Sequence, residues 1–296
     1  MGYRIGFDIG STTIKAVVLD ENNQICYKSY ERHKAQVRQK ALDKLVELKK
    51  YTKEPFKFAI SGSGALGLSE QGELPFVQEV FASATGVSKL YPETDCAIEL
   101  GGEDAKILFF QGSVEQRMNS TCAGGTGAFI DQMATLLNMS LEEMNEASLN
   151  YHRLYPIASR CGVFAKTDIQ PLINQGVDKC DLCASIFQAV VDQTITSLAQ
   201  GRKIEGNILF LGGPLYFMSG LRNRFVETLK LSDVQVNCPD TAINFVALGT
   251  AICADQEYTY DELYKALEDL VHAPAKLTES KPLFESEEDY QKFIER

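Results

Sequence analysis

The chain of 296 residues is long enough for one large domain or two medium ones, and 45% of its residues are hydrophobic. Its net charge of -11 argues against nucleic acid or an anionic membrane as a partner, because both usually require a basic face. Since residues 1–8 do not resemble a signal peptide, and no apolar run reaches the roughly 20 residues that cross a bilayer, we expect a cytoplasmic protein.

The N-terminal part of the chain predicts three strands, a helix, a strand and a second helix. Apolar runs between polar turns place these elements at 3–10, 14–20, 24–30, 35–51, 56–60 and 75–90. The same pattern restarts at Cys96, with strands expected at 96–100, 106–110, 114–118 and 207–211. A repeated pattern of this kind indicates duplicated α/β halves that face each other across a cleft.

The repeat also suggests a division of the chain into three parts. We expect a first half over residues 1–95 and a second half over 96–256, which also carries inserted helices. Residues 257–296 are expected to form a C-terminal helix followed by an acidic linker or tail, because prolines and a Glu-Ser-Glu-Glu-Asp run follow the helical pattern there.

An acidic residue followed by a glycine turn occurs at the same place in both halves. Residues 8–12 read Asp-Ile-Gly-Ser-Thr and residues 99–103 read Glu-Leu-Gly-Gly-Glu, while another glycine pair follows the strand at 207–211. Glycines let backbone N–H groups approach phosphate oxygens without a Cβ in the way. One such turn is ordinary turn chemistry, but two in matching positions indicate a nucleotide site.

A rival glycine pattern, Gly-Ser-Gly-Ala-Leu-Gly, lies at 62–67 after a predicted strand. It matches the fingerprint of dinucleotide-binding folds. However, the segment beyond it is polar and turn-like, and no acidic residue ends a strand at the required spacing of about 20 residues. We therefore expect an interdomain loop at 62–67.

Two cysteines, Cys122 and Cys161, are each followed by glycine and small residues and then by a helix-like run. A helix N-terminus lowers the pKa of a thiol and favours anionic ligands. The pair therefore indicates a metal-bound thiolate or a reactive thiol. Two ligands cannot complete a tetrahedral site or a cubane cluster within one chain, but a two-fold dimer would contribute each residue twice.

The remaining cysteines and two of the histidines have simpler interpretations. Cys26, Cys96, Cys238 and Cys253 lie in apolar contexts typical of buried structural thiols. Cys180 and Cys183 have the spacing of a metal or redox pair, but only one such pair is present and we expect it to be structural. His33 and His152 are expected to be lone surface histidines.

The phosphate turns, the run from Asp8 to Lys15, the two cysteine segments and residues 163–165 together resemble a known group of proteins. The chain is similar to ATPases of the acetate kinase, sugar kinase, Hsp70 and actin superfamily. Within it, the similarity is to activators of 2-hydroxyacyl-CoA dehydratases and ATPase subunits of benzoyl-CoA reductases (the BadF/BadG/BcrA/BcrD type). It spans about residues 4–254, and 99–104 and 211–214 are closest to the ATPase domain of long CoA-enzyme activases.

This resemblance implies an actin-like α/β fold that binds ATP or ADP between the two halves. Asp8 would hold Mg²⁺ through water, Lys15 would supply a positive charge, and Glu99 and Glu103 would orient the attacking water. The smaller activators typically carry Asp and Gln where this chain has Glu99 and Glu103, so the roles of the two carboxylates stay open. The other implied nucleotide contacts are Gly10, Ser11, Thr12, Thr13, Gly101, Gly102, Gly212, Gly213 and Pro214.

The resemblance also implies a redox function. Cys122 and Cys161 of both subunits of a homodimer would hold one [4Fe-4S] cluster. ATP hydrolysis would drive a low-potential electron from this cluster to a 2-hydroxyacyl-CoA dehydratase or related CoA-ester reductase, and a ferredoxin- or flavodoxin-like protein would supply the electron. Two alternatives remain: a sugar or small-molecule kinase of the same superfamily, and a nucleotide-gated interaction module without redox work.

Overall fold

Two five-stranded sheets of matching topology organise the chain. The computed structural model describes residues 2–53, 55–119, 124–158, 162–274 and 282–295. The strands are Arg4–Ile9 (β1), Thr13–Leu19 (β2), Ile25–Arg32 (β3), Phe56–Ser61 (β4), Cys96–Leu100 (β5), Ala105–Phe109 (β6), Glu115–Asn119 (β7), Ile208–Leu211 (β8), Val236–Asn237 (β9) and Glu257–Tyr258 (β10). The sheet orders are β10-β4-β1-β2-β3 and β7-β6-β5-β8-β9.

Each sheet contains three consecutive antiparallel strands and then a parallel one. β1, β2 and β3 form one meander and β5, β6 and β7 form the other, while β4 and β8 run parallel to β1 and β5. The predicted duplication of an α/β unit is confirmed by this topology. The central strands are buried along almost their whole length, which explains their nearly continuous apolar sequences.

The helices cover these sheets and connect them. They are Val37–Glu47 (α1), Leu66–Gly72 (α2), Glu79–Leu90 (α3), Gly127–Leu137 (α4), Leu141–Ser148 (α5), Gly162–Asn174 (α6), Lys179–Thr194 (α7), Gly213–Phe217 (α8), Ser219–Leu229 (α9), Phe245–Cys253 (α10), Tyr260–His272 (α11) and Glu287–Ile294 (α12).

Three groups of buried side chains hold the structure together. One lies within the first half and another within the second. The third, which we call the seam, contains residues from both sheets: Val17 and Leu19 of β2, Ala97 of β5, Leu209 of β8, and apolar residues of α3 and α10. The seam therefore joins the two halves by burial of apolar surface, the dominant favourable contribution to folding.

Two segments differ from the sequence-based expectation. Residues 62–67 are not an interdomain loop: they form a tight turn and the start of α2, and α2 packs within the first half against α11. The segment beyond residue 256 returns to the first sheet, where β10 pairs with β4 and α11 packs on α1. The short helix α12 has no buried residue.

One helical stretch, Lys179–Ala199, is long and apolar enough to cross a membrane by length and composition. This differs from the expectation that no apolar run reaches that length. Two thirds of its most apolar window is buried inside the protein, and its side chains belong to the core of the second half. Burial in that core accounts for its apolar composition.

Candidate functional site

A cavity of about 380 Å³ lies between the two halves. The first half contributes Thr12, Thr13 and Lys15 to its wall. The second half contributes Glu99, Gly101, Gly102, Gly212, Gly213 and Pro214. These nine residues were all predicted from the sequence as nucleotide contacts or catalytic groups, and the tertiary structure brings them to one place.

Four other predicted residues do not line this cavity. Asp8 is 3% exposed and contacts the lining residue Lys15, and Glu103 is exposed in its turn. Gly10 and Ser11 form the turn of the first hairpin, where the Gly10 N–H donates to the Thr13 carbonyl at 2.9 Å.

The first hairpin joins β1 to β2 and places an acid opposite a lysine. Asp8 and Lys15 face each other across the two strands, and Lys15 Nζ donates to Asp8 Oδ2 at 2.7 Å. Burial alone would lower the pKa of Lys15, but the Asp8 carboxylate raises it, and Glu99 adds to this effect. Lys15 therefore stays charged at the edge of the cavity, as a phosphate contact requires.

The second hairpin repeats this arrangement between β5 and β6. Glu99 faces Lys106 across the strands, with the same spacing of seven residues that separates Asp8 from Lys15. Lys106 was not predicted as a site residue, although its matching position in the repeat was a usable signal. It is 2% exposed and its ammonium lies within 4 Å of three carboxylates.

Burial dominates the electrostatics of the second hairpin. Burial raises the pKa of Glu99, and the nearby Lys106 ammonium partly offsets this by lowering that pKa. Burial alone would lower the pKa of Lys106, but Glu99, Asp104 and Glu79 raise it well above its usual value. Glu99 also accepts a hydrogen bond from the Ser83 hydroxyl at 3.0 Å, so both of its oxygens have partners. Its carboxylate is consequently fixed in orientation at the wall of the cavity.

The tips of the two hairpins approach each other across the cleft. A Cβ at Gly102 would lie 3.1 Å from the hydroxyl oxygen of Thr12. Nearby, Gly212 has a φ of +87°, and a Cβ there would lie 2.0 Å from the Leu100 carbonyl. Glycine is therefore required at 212 both by the backbone conformation and by the close approach of β5.

Helix α4 begins directly on the second hairpin. The N–H groups of Gly127 and Ala128, which have no partner inside the helix, donate to the carbonyls of Gly101 and Gly102 at 3.0 and 2.8 Å. Gly127 and Ala128 also line the cavity. The helix that follows the Cys122 segment in the chain is thus hydrogen-bonded to the glycine turn that lines the cavity.

Part of the cavity lining is apolar. Phe217, Met218, Leu141 and Ile243 belong to it, and Tyr30 of the first half stacks edge-on against Phe217 of the second at a ring distance of 6.1 Å. Apolar and aromatic side chains suit a base, and glycines and hydroxyls suit phosphates. The described residues therefore fit a nucleoside triphosphate in shape and chemistry.

His33 is buried, contrary to the expectation of a surface histidine. It is 4% exposed and contacts the first hairpin twice. Its backbone N–H donates to the Thr12 carbonyl at 3.2 Å, and its Nε2 lies 3.0 Å from the Gly10 carbonyl. Because Nδ1 accepts from the Ala35 N–H, Nε2 carries the proton and donates to Gly10. These contacts were not predicted from the sequence, because they form only when the turn after β3 packs against the first hairpin.

Cys122 and Cys161 lie outside the described residues. Elsewhere in the described ranges, no group of three or more His, Cys, Asp or Glu side chains could hold a metal ion. Burial raises the pKa of Cys96 and of Cys183 to about 12, which disfavours a thiolate at either position. Cys26 is exposed, so the expectation of a buried thiol there was wrong, and Cys238 and Cys253 are partly exposed.

A sequence model of the BadF/BadG/BcrA/BcrD ATPase family matches residues 5–254. Among solved structures, component A of the Acidaminococcus fermentans (R)-2-hydroxyglutaryl-CoA dehydratase has a TM-score of 0.75 at 25% identity, covering 90% of this chain and 100% of its own. The activator of the 2-hydroxyisocaproyl-CoA dehydratase from Clostridium difficile, with bound ADPNP, has a TM-score of 0.74 at 26% identity, covering 93% and 100%. The activator of lactoyl-CoA dehydratase from Anaerotignum propionicum is 29% identical over 258 residues, 85% of this chain and 97% of that protein.

Proposed function

Because the chain belongs to the BadF/BadG/BcrA/BcrD ATPase family, we propose that it is an ATP-driven electron-transfer activator of a 2-hydroxyacyl-CoA dehydratase or a related CoA-ester reductase. Family membership makes it an ATPase with the predicted actin-like fold, and it binds ATP or ADP. The electron would leave a [4Fe-4S] cluster that bridges two copies of the chain.

The main observation in support of this proposal is that α4 is hydrogen-bonded to the second hairpin. Two backbone hydrogen bonds join the first turn of α4 to the glycine turn at the cleft. Helix α6, which begins one residue after Cys161, packs on α4: a Cβ at Gly162 would lie 3.1 Å from Gln132 Oε1 and 3.5 Å from the Phe129 ring. The helices that follow the two cysteines are therefore in contact with each other, and one of them is tied to the nucleotide site.

This arrangement gives ATP hydrolysis a mechanical route to the cysteine segments. Loss of the γ-phosphate changes the contacts of the second hairpin, and the hydrogen bonds to α4 pass that shift to the helix. A packed helix moves as a rigid body because interiors are closely packed. A cluster bound beside α4 and α6 would supply one-electron chemistry, and helix N-termini favour its negative charge.

In this proposal the cleft residues have different roles in ATP hydrolysis. Thr12, Thr13 and the glycine turns would hold the phosphates, with Lys15 neutralising charge. Asp8 would reach Mg²⁺ through water, although its carboxylate is also bound to Lys15. Glu99 lines the cavity whereas Glu103 is exposed, which favours Glu99 as the carboxylate that orients the attacking water.

The proposal also requires a homodimer, because each chain supplies two of four cysteine ligands. Two apolar side chains at the start of α6, Val163 and Phe164, are 68% and 61% exposed, which supports a contact surface at this helix. A ferredoxin- or flavodoxin-like protein would supply the electron to this dimer. All these partners would meet it in the cytoplasm.

The decisive experiment is iron and sulfide analysis of protein purified without oxygen. We expect about four iron atoms per dimer, a number set by cubane stoichiometry. Cys122→Ser and Cys161→Ser should each lose the cluster. Cys26→Ser is the matched control, because Cys26 is exposed on β3 and should leave the iron content unchanged.

A full complement of iron in either cysteine variant would refute the shared cluster. If the wild-type protein holds no iron but transfers phosphate to an added hydroxyl compound, the kinase alternative is correct instead. Dimerisation that is unaffected by both serine substitutions, again without iron, would identify a nucleotide-gated interaction module.

A further inference from the structure

One buried lysine connects the two halves of the cleft. Lys106 Nζ lies 2.5 Å from Glu79 Oε2, 2.8 Å from Asp104 Oδ2 and 3.5 Å from Glu99 Oε1. Asp104 and Glu99 belong to the same hairpin as Lys106, but Glu79 is the first residue of α3, which packs in the seam. A buried charge that loses a partner destabilises the protein, so the three carboxylates favour this one position of the Lys106 ammonium.

The second oxygen of Glu79 points towards the first half. Glu79 Oε1 accepts a hydrogen bond from the Ser63 N–H at 3.0 Å. Ser63 opens the short helical turn that follows β4, and its neighbours press against the first hairpin. A Cβ at Gly62 would lie 2.2 Å from the Ile9 carbonyl, and one at Gly64 would lie 2.9 Å from the Gly10 carbonyl.

These contacts form a continuous path between the phosphate hairpins. It runs from the first hairpin through the turn at 62–64 to the Glu79 carboxylate, then to Lys106 and Glu99 in the second hairpin. The Glu79 carboxylate therefore contacts both the turn beside the first hairpin and the buried lysine of the second.

We propose that Glu79 is a positioning residue for ATP hydrolysis, because its carboxylate fixes Lys106, and through it Glu99, relative to the first phosphate hairpin. The inference rests on the proposed nucleotide site and on the role of Glu99 there, but it does not depend on a cluster. Glu79 is absent from the cavity wall among the described residues and therefore acts through Lys106 rather than on the nucleotide.

The test is steady-state ATP hydrolysis by Glu79→Gln, which keeps the size of the side chain and removes its charge. Glutamine can still accept from Ser63 but no longer attracts Lys106. We expect kcat to fall about tenfold or more, since small displacements of a catalytic group have effects of this size, while KM for ATP changes less than threefold. Glu93→Gln is the matched control: Glu93 is an exposed glutamate just beyond α3, and its variant should keep the wild-type kcat.

A second variant tests the contact between the Ser63 N–H and the Glu79 carboxylate. Ser63→Pro removes the N–H that Glu79 binds and leaves every charge in place, and proline is tolerated at the first position of a helical turn. It should lower kcat with little effect on KM. In the double variant the two effects should be less than additive, because both act through one carboxylate.

The pH dependence separates positioning from general damage. The charged groups that face Glu99 are Lys106, Asp104, Glu79 and Lys15. Removing the charge of Glu79 lowers the pKa of Glu99, so the acidic limb of the kcat profile should move to lower pH. Lys106→Met removes the opposing cation and should move that limb to higher pH.

Wild-type kcat in Glu79→Gln would overturn the inference, and so would shifts of the acidic limb in the same direction in both variants. Circular dichroism establishes that each variant is folded. If the wild-type protein hydrolyses ATP but contains no iron, the electron-transfer proposal fails while the role of Glu79 is still tested. If it does not hydrolyse ATP at all, both fail.

Discussion

Individual residues show how the duplicated hairpins divide their roles. Asp8–Lys15 and Glu99–Lys106 occupy equivalent register positions, yet only Lys15 reaches the cavity, while Lys106 is buried behind it among three carboxylates. The same residue type at the same place in the repeat therefore lines the cavity in one half and is buried among carboxylates in the other.

His33 gives a residue-scale prediction for nucleotide affinity. His33→Ala removes the side-chain hydrogen bond to the Gly10 carbonyl and loosens the first hairpin. We expect KM for ATP to rise about tenfold, the effect of roughly 1.4 kcal/mol, which is within the range for one buried hydrogen bond. Steady-state kinetics with His152→Ala as control would measure this, because the His152 side chain is exposed. Equal KM values in the two variants would contradict it.

The cysteines give a second residue-scale prediction. Because burial raises the pKa of Cys96 and Cys183 to about 12, neither thiol should react with iodoacetamide at about pH 8 while the protein is folded. Cys26 is exposed and should be alkylated under the same conditions. Peptide mass spectrometry before and after denaturation measures the difference. Alkylation of Cys183 at the rate of Cys26 would show that the second core opens readily.

At the scale of elements, side-chain caps and buried acids fix the helices of the second half. Asp178 caps α7 by accepting from the Cys180 N–H, and Ser140 with Glu143 forms a capping box on α5. Such caps satisfy N–H groups that a helix leaves without partners. They explain why the segment with Cys180 and Cys183 is helical, with Cys183 in the core rather than free to bind a metal.

Asp181 on α7 provides the prediction at this scale. Its Oδ1 accepts from the N–H groups of His152 and Arg153 at 2.7 and 3.0 Å. These two hydrogen bonds lower the pKa of Asp181. Asp181→Ala should therefore reduce the free energy of unfolding by about 1 to 3 kcal/mol at neutral pH, the cost of leaving such donors unpaired.

The sign of the pH effect follows from the direction of that shift. A pKa lower in the folded state contributes stability above the unfolded value, which is about 3.9 for Asp, and the contribution is lost as pH falls through the folded pKa. Urea unfolding should therefore show a smaller difference between wild type and variant at about pH 3 than at about pH 7. Glu146→Ala on the adjacent α5, an exposed position, should show little difference at either pH.

For the whole molecule, the seam decides how the two halves are held. It combines residues of both sheets with α3 and α10, and these two helices pack very closely: a Cβ at Gly249 would lie 2.0 Å from the Ala82 carbonyl. Gly249→Ala forces the helices apart and should lower the free energy of unfolding by about 1 to 3 kcal/mol, as overpacking does. Thermal unfolding would measure the loss.

Gly67→Ala is the matched control for this prediction. Gly67 is also helical, in α2, and apart from its chain neighbours and the helix's own backbone no atom lies within 4 Å of a Cβ built there. Alanine should stabilise that helix by up to about 1 kcal/mol, because glycine is a poor helix former. A destabilisation of equal size in the two variants would mean that helix propensity, rather than the seam, controls stability.

From the amino-acid sequence alone we predicted the duplicated α/β fold and the glycine turns that line the cleft, and the resemblance of the motifs implied the family and the ATPase class. The fold and the turns are predictable because they depend on local patterns: apolar runs between polar turns, and an acidic residue followed by glycines at matching positions of a repeat. Cys122 and Cys161 were also identified in this way, and their role as cluster ligands stays a prediction.

The residues that contact the two hairpins from outside the cavity became evident only in the folded chain. Glu79, Ser63, Lys106 and His33 come from separate segments, and their contacts with the hairpins depend on how α3 and the turns after β3 and β4 pack. The same is true of α11, which returns to the first sheet although its sequence shows only an amphipathic helix. Packing brings together residues distant in the chain, and local sequence patterns do not record those distances.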